Sequence, residues 1–205
     1  MLTDQKISEF LQQTASGSPL PGGGSVSALS AALGAALTEM VANLTVGKKN
    51  YAAVEGEMQE ISKTAGNIRK KLMAEVDHDA NAYQGVLAAF QLPRATEAQK
   101  QQRTAAIQEA MQNAARVPLG VAYDGLQVMD LAERVIRSGN QNALSDGAVG
   151  VMMARTAVMG ALMNVRINLA SVKDHAFVEE MRREAAKLES RVQEREKEIL
   201  SYVKF

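Results

Sequence analysis

Residues 21–47 read PGGGSVSALSAALGAALTEMVANLTVG, and the fold turns on how they are read. From Ser25 to Val46 the run is dominated by Ala, Leu, Ser and Val, with Glu39 as its only charge. It is far too long for a strand, and it closes at Gly47, a residue suited to ending a helix in the left-handed conformation. Period-two alternation of β-branched and aromatic residues is missing throughout, and aromatics make up only 4% of the chain, so the expected class is all-α. A helix apolar on nearly every side is surrounded by protein or by lipid. Glu39 here, and Asp146 and Arg155 in the similar stretch 143–162, are costly in a bilayer, so both segments are expected as central helices of a bundle.

The start of that helix carries its own information. Pro21 and three glycines, Gly22, Gly23 and Gly24, lead into Ser25. Without Cβ atoms the backbone can approach another group closely, and the first N–H groups of a helix lack partners and favour an anion. The competing reading is a simple loop with Ser25 as the cap. The stretch matches neither a P-loop, which ends in Gly-Lys-Ser/Thr, nor a dinucleotide fingerprint.

Outward from this point, a short first helix is expected over about 4–13 with Thr3 as cap, then a loop to Gly24. A third helix from about Ala52 carries a stripe of Ile61, Ile68, Leu72, Val76, Asp79 and Tyr83 until Leu92-Pro93 ends it. Thr96 and Gln99 form a capping box for a fourth helix reaching about Arg137, in which Pro118 predicts a kink or break. Asn142 or Ser145 caps a fifth helix to about Ala170, and Asp174 a sixth ending near Tyr202. No repeat or linker divides the chain, so a single domain over 1–205 is expected. A helix of about forty residues spans roughly 60 Å, which predicts an elongated up-and-down bundle of about five long helices plus the short first one, pairing as a homodimer along its exposed flank.

Lys+Arg and Asp+Glu both number 23, so no overall field attracts nucleic acid or an anionic membrane, and neither is expected as a partner. There is no cysteine, and residues 1–6 lack a signal-peptide core, which points to the cytoplasm. His78 and His175 have no ligand-type partner at helical spacing, so no metal is expected.

A few polar residues stand where apolar ones belong. Asp79 interrupts the core stripe of the third helix, while Asp77 and His78 point away toward solvent. Glu39 calls for a partner, with Arg155 or Arg166 as the candidates. In the fifth helix Asp146, Gly150, Ala157, Ala161, Asn164 and Asn168 share one small, hydrogen-bonding face. That face serves either close helix packing or the floor of a cleft for a flat ligand.

Taken together, Pro21-Gly-Gly-Gly-Ser-Val-Ser-Ala28, Leu44-Thr-Val-Gly-Lys-Lys49, Asp79-Ala-Asn-Ala-Tyr83 with Leu92-Pro-Arg94, Val117-Pro-Leu119, Asn142-Ala-Leu-Ser-Asp146 and Asn164-Val-Arg-Ile-Asn168 resemble the cyclodeaminase/cyclohydrolase domain of the formiminotransferase-cyclodeaminase family, in order and over nearly the whole chain. The resemblance implies a dimeric all-α enzyme acting on one-carbon units carried by tetrahydrofolate, with no cofactor beyond that carrier. Two reactions are implied: hydrolysis of 5,10-methenyltetrahydrofolate to 10-formyltetrahydrofolate, or closure of 5-formiminotetrahydrofolate to the methenyl compound with loss of ammonia. The transferase half is missing from these residues, which tilts the expectation to the cyclohydrolase. Both reactions need proton transfer and stabilisation of charge on the C1 bridge. Under this resemblance Asp79 and Asp146 divide those duties, with Glu39 as reserve. Asn142, Asn164 and Asn168 orient the pterin or the bridge, Ser145 is a further substrate-binding residue, and Lys48, Arg155 and the Gly22, Gly23, Gly24 and Ser25 amides meet the carboxylate tail or the pterin edge. The opposing reading is a non-catalytic binding or scaffolding bundle.

Overall fold

A computed structural model describes residues 1–204 as six α-helices: α1 Ile7–Thr14, α2 Gly23–Asn43, α3 Glu55–Gln91, α4 Glu97–Ser138, α5 Leu144–Leu169 and α6 His175–Leu200. Short 3₁₀ turns at Leu2–Asp4, Lys49–Val54 and Gln141–Ala143 join them, and no strand occurs among the described residues. Cross-helix pairs fix the topology as up-and-down. Ser25 meets Asp79 and Asn43 meets Ser62 between α2 and α3. Lys71 meets Asp124 and Arg134 meets Glu57 between α3 and α4. Arg166 pairs with Glu189, and Arg155 with Glu196, between α5 and α6.

Small residues let α2 sit at the centre. Ala28, Ala31 and Ala35 are fully buried, and Gly34 lies so close to α5 that a Cβ there would be 2.8 Å from Gly150 O. The two most apolar helices are therefore held by protein on their inner sides, while Val26, Leu33 and Met40 on α2 and Val149, Met152 and Met163 on α5 form an exposed apolar strip. The far ends of α3 and α4 run past α2 as a two-helix arm, tied where Arg103 donates to Phe90 O.

Gly47 adopts φ 76° after α2, Thr96 and Gln99 form the capping box of α4, and Asp174 caps α6 by accepting from Phe177 N at 3.1 Å, all as expected. Other boundaries differ. Thr3 does not cap α1; its hydroxyl donates to Asp77 Oδ2 at 3.1 Å while Leu2 N donates to Asp77 Oδ1 at 2.7 Å, so Asp77 anchors the N-terminal turn instead of facing solvent freely. Lys6 occupies the cap position, its backbone N–H donating to Glu9. Neither Asn142 nor Ser145 caps α5; a 3₁₀ turn capped by Asn140 leads directly into it.

Pro118 neither breaks nor ends α4, which is continuous from Glu97 to Ser138. Proline at that position leaves Ala114 O without its helical donor. Asn168 Nδ2 on α5 supplies the missing hydrogen bond at 2.7 Å, so the helix passes through with its backbone satisfied.

Candidate functional site

The first turn of α2 faces one end of a cleft of about 390 Å³, a size typical of small-molecule sites. α2 begins at Gly23 with Gly22 as cap, three residues before the alternative cap Ser25. Ser25 is unavailable for capping because its side chain points across to α3. Its hydroxyl lies 3.0 Å from both Asp79 Oδ2 and Val76 O. Gly24 explains how the carboxylate comes so near, since any side chain there would collide with Asp79. The anion that the glycine-rich helix start attracts is thus supplied by the chain itself.

Among the described residues Asp79 is the only carboxylate lining the cleft. Burial pushes its pKa above the usual carboxylate range, opposed by the Ser25 hydroxyl and backbone N–H, which favour the charged form. Asn164 and Asn168 lie on the α5 side. Asn164 Nδ2 donates to Gly160 O at 2.9 Å and Asn168 Nδ2 to Ala114 O, so each amide is anchored on backbone. Among the described residues no donor reaches either carboxamide oxygen, which leaves two oriented acceptors for a ligand. The small face of α5 accordingly serves both readings: Gly150, Ala157 and Ala161 pack, while the asparagines at its lower end line the cleft.

The apolar mouth had not been anticipated. Tyr83 and Val86 continue the Asp79 side of α3 one and two turns on, with Met111 from α4 and Ile167 from α5 opposite. Tyr83 and Val86 carried a signal in their helical spacing from Asp79. Met111 and Ile167 carried none, because only tertiary packing brings them there.

Several expected site residues lie elsewhere. Asp146 stands at the opposite end of α5 from Asn164, about 27 Å away along the helix, and does not share the cleft with Asp79 within one protomer. Lys48 and Asn142 line a separate pocket of about 500 Å³ with Lys49, Asn50, Tyr51 and Asn140, and Ser145 is exposed beside that end. Glu39 is committed to Arg69 at 2.7 Å, not to Arg155 or Arg166, because α3 rather than α5 lies on its side of α2. Arg155 faces Glu196 of α6, turned away from the cleft.

Comparison with known proteins agrees with this architecture. The family model for formiminotransferase-cyclodeaminase matches residues 6–187. A methenyltetrahydrofolate cyclohydrolase of Methylorubrum extorquens is 40% identical over 184 residues, covering 90% of this chain and 88% of that protein. A formimidoyltransferase-cyclodeaminase of Rattus norvegicus is 35% identical over 187 residues, and the match spans 35% of its length. The crystal structure of formiminotetrahydrofolate cyclodeaminase from Thermotoga maritima superposes with a TM-score of 0.87 at 28% identity, covering 98% of this chain and 97% of that one.

Proposed function

The chain belongs to the formiminotransferase-cyclodeaminase family, and from that premise we propose that it is a methenyltetrahydrofolate cyclohydrolase, interconverting 5,10-methenyl- and 10-formyltetrahydrofolate in the cleft at the start of α2. The observation that carries this reading is Asp79: a single carboxylate, raised in pKa by burial, facing two fixed amide acceptors. A carboxyl group whose protonated form is favoured by burial while a serine hydroxyl and an N–H favour its charged form suits reversible proton transfer.

In this scheme water adds to the C1 carbon between N5 and N10, and Asp79 takes one of its protons. The C1–N5 bond then breaks and N5 receives that proton back from Asp79. The hydroxyl proton on C1 goes to solvent as the formyl C=O forms, so one proton is released as the cationic bridge becomes neutral. Asn164 and Asn168 orient the pterin by accepting from its N–H groups, and Tyr83, Val86, Met111 and Ile167 cover its apolar faces. The scheme calls on no group beyond the folate and this chain's residues.

The second reading, cyclodeamination of 5-formiminotetrahydrofolate, is favoured by the full-length likeness to the Thermotoga maritima enzyme. There N10 attacks the carbon of the protonated formimino group, Asp79 takes the N10 proton and passes it to the formimino nitrogen, and the bond from C1 to that nitrogen breaks to release ammonia and leave the methenyl cation. Methenyltetrahydrofolate absorbance separates the two. Loss of the methenyl signal above the spontaneous rate supports the cyclohydrolase, and its appearance from the formimino substrate supports the cyclodeaminase. Neither change with active-site concentrations of enzyme returns the chain to a scaffolding bundle.

We further propose that the working form is a homodimer built on the α2/α5 strip. The strip is about 30 Å long and two helices wide, roughly 600 Å² per protomer, close to what stable interfaces bury. Its exposed apolar residues carry no charge, so it is complementary to a second copy of itself under a two-fold axis. α2 and α5 are also long and apolar enough to cross a membrane, but 61% and 50% of their most apolar windows are already buried inside the bundle. A two-fold axis near Leu33 runs the partner's α2 and α5 antiparallel to these, at a height that sets its Lys48, Asn142, Ser145 and Asp146 end beside the cleft. The partner's Asp146 then returns to the reaction, its negative charge stabilising the cationic C1 bridge while Asp79 moves the protons.

A further inference from the structure

Ser25 is wholly buried, which bars it from touching a substrate in the cleft. Its hydroxyl has one proton and two acceptors at equal distance, Asp79 Oδ2 and Val76 O, both 3.0 Å away. When Asp79 is ionised, the hydroxyl donates to the carboxylate, and Val76 O keeps the ordinary helical bond of α3. When Asp79 holds a proton, it donates to Ser25 Oγ, and the hydroxyl proton turns to Val76 O. Neither state leaves a buried polar atom unpaired, and a buried carboxyl without such a partner would be costly in one state or the other.

We propose that Ser25 is a positioning residue whose hydroxyl rotates between Asp79 and Val76, keeping the Asp79 carboxyl hydrogen-bonded both as base and as acid within one turnover. This deepens the proposed reaction and rests on the assignment of Asp79 to proton transfer. Gly24 completes the device, because only a residue without Cβ lets the carboxyl reach the serine across the start of α2. The surroundings hold little that would interfere. The other residues lining the cleft from α2, α4 and α5 carry no formal charge. On α3, Asp77 is bound by Leu2 and Thr3, and Glu75 faces His78. Arg166 of α5 is engaged by Glu189, and Glu39 of α2 lies several turns away against Arg69.

The test compares Ser25→Ala and Ser25→Cys with the wild-type protein, each checked for helicity and melting temperature. Ser25→Ala removes the donor that favours the charged form, so the acidic limb of the kcat profile moves to higher pH. kcat drops on the order of tenfold to a hundredfold, with KM within about twofold. Ser25→Cys, with a weaker donor in a similar volume, falls between the two. The ¹³C carboxyl signal of Asp79, titrated without substrate, moves to higher pH in the same order. This second measurement stands apart from turnover. If Asp79 is not the catalytic acid, the carboxyl titration still shifts while the kcat profile does not, and only the reaction assignment falls. An unchanged Asp79 titration in both variants overturns the proposal, as does a Ser25→Ala enzyme whose KM rises while its kcat profile stays put. That last pattern is the signature of a substrate ligand.

Discussion

Asp79 Oδ1 occupies the space a side chain on Gly24 would need: a Cβ built on Gly24 would stand 1.9 Å from it. The helix start and the carboxylate are therefore one unit, and the glycine is fixed by what lies opposite rather than by backbone angle. Gly24→Ala is expected to expel the carboxylate from its seat and lower kcat by at least about a hundredfold. Gly23→Ala meets only the Asn164 carboxamide, its Nδ2 at 3.3 Å and Oδ1 at 3.8 Å, which can yield by a few tenths of an ångström, so its loss should be several-fold and expressed mainly in KM. Steady-state kinetics on both variants check the order, and a reversed order would place the ligand against Gly23 rather than Asp79 against Gly24.

Burial raises the Asp79 pKa, so the folded protein binds this proton more tightly than the unfolded chain does. The stability that comes with the bound proton is present at acid pH and is lost as pH rises through the raised value. At neutral pH the ionised group is accordingly a liability. Asp79→Asn should melt a few degrees above the parent at pH 7, with the gap closing as pH falls to about 4, the ordinary carboxylate range. A constant gap across that window would mean that ionisation is not its cause.

Pro118 and Asn168 act as a pair through Ala114 O. Asn168→Ala leaves that carbonyl without a donor and should cost about 1–2 kcal/mol. In a Pro118→Ala background the helical N–H returns and the same substitution should cost clearly less. Denaturant melts of the four proteins give the coupling; additive costs would show that the asparagine does not serve the proline.

If α2 and α5 form the dimer face, Leu33→Glu should yield monomers by sedimentation while keeping helicity. Mixing Asp79→Asn with Asp146→Asn protein should restore activity toward about a quarter of the wild-type level, since half of the randomly paired dimers then hold one intact composite site. No recovery in subunits shown to exchange would confine the chemistry to one protomer.

The helical bundle can be read from residues 21–47 and 143–162 because their length and uniform apolarity admit few alternatives, and the caps at Thr96 and Asp174 because capping is decided within one turn. The passage of α4 through Pro118 escapes such reading, since its rescue comes from another helix. Asp79 stands out as a carboxylate in an apolar stripe. Asp146 stands out equally, yet helical spacing tells which face a residue occupies and not which end of the bundle its neighbours reach. The sharing of one face by Asp146 and Asn168 thus suggested one site where a single protomer has two ends. Ser25 looked like a ligand or a cap because nothing local reveals that its partner lies on α3.

Single-turnover hydrolysis of 5,10-methenyltetrahydrofolate by the wild-type protein and by Asp79→Asn, folded to the same helicity, bears most directly on the whole account. The expected result is catalysis above the spontaneous rate in the wild type and a fall of about 10²–10⁴-fold in the variant at unchanged substrate affinity. A wild-type rate in Asp79→Asn would contradict it, and with it the assignment of the α2 cleft as the place where the proton moves.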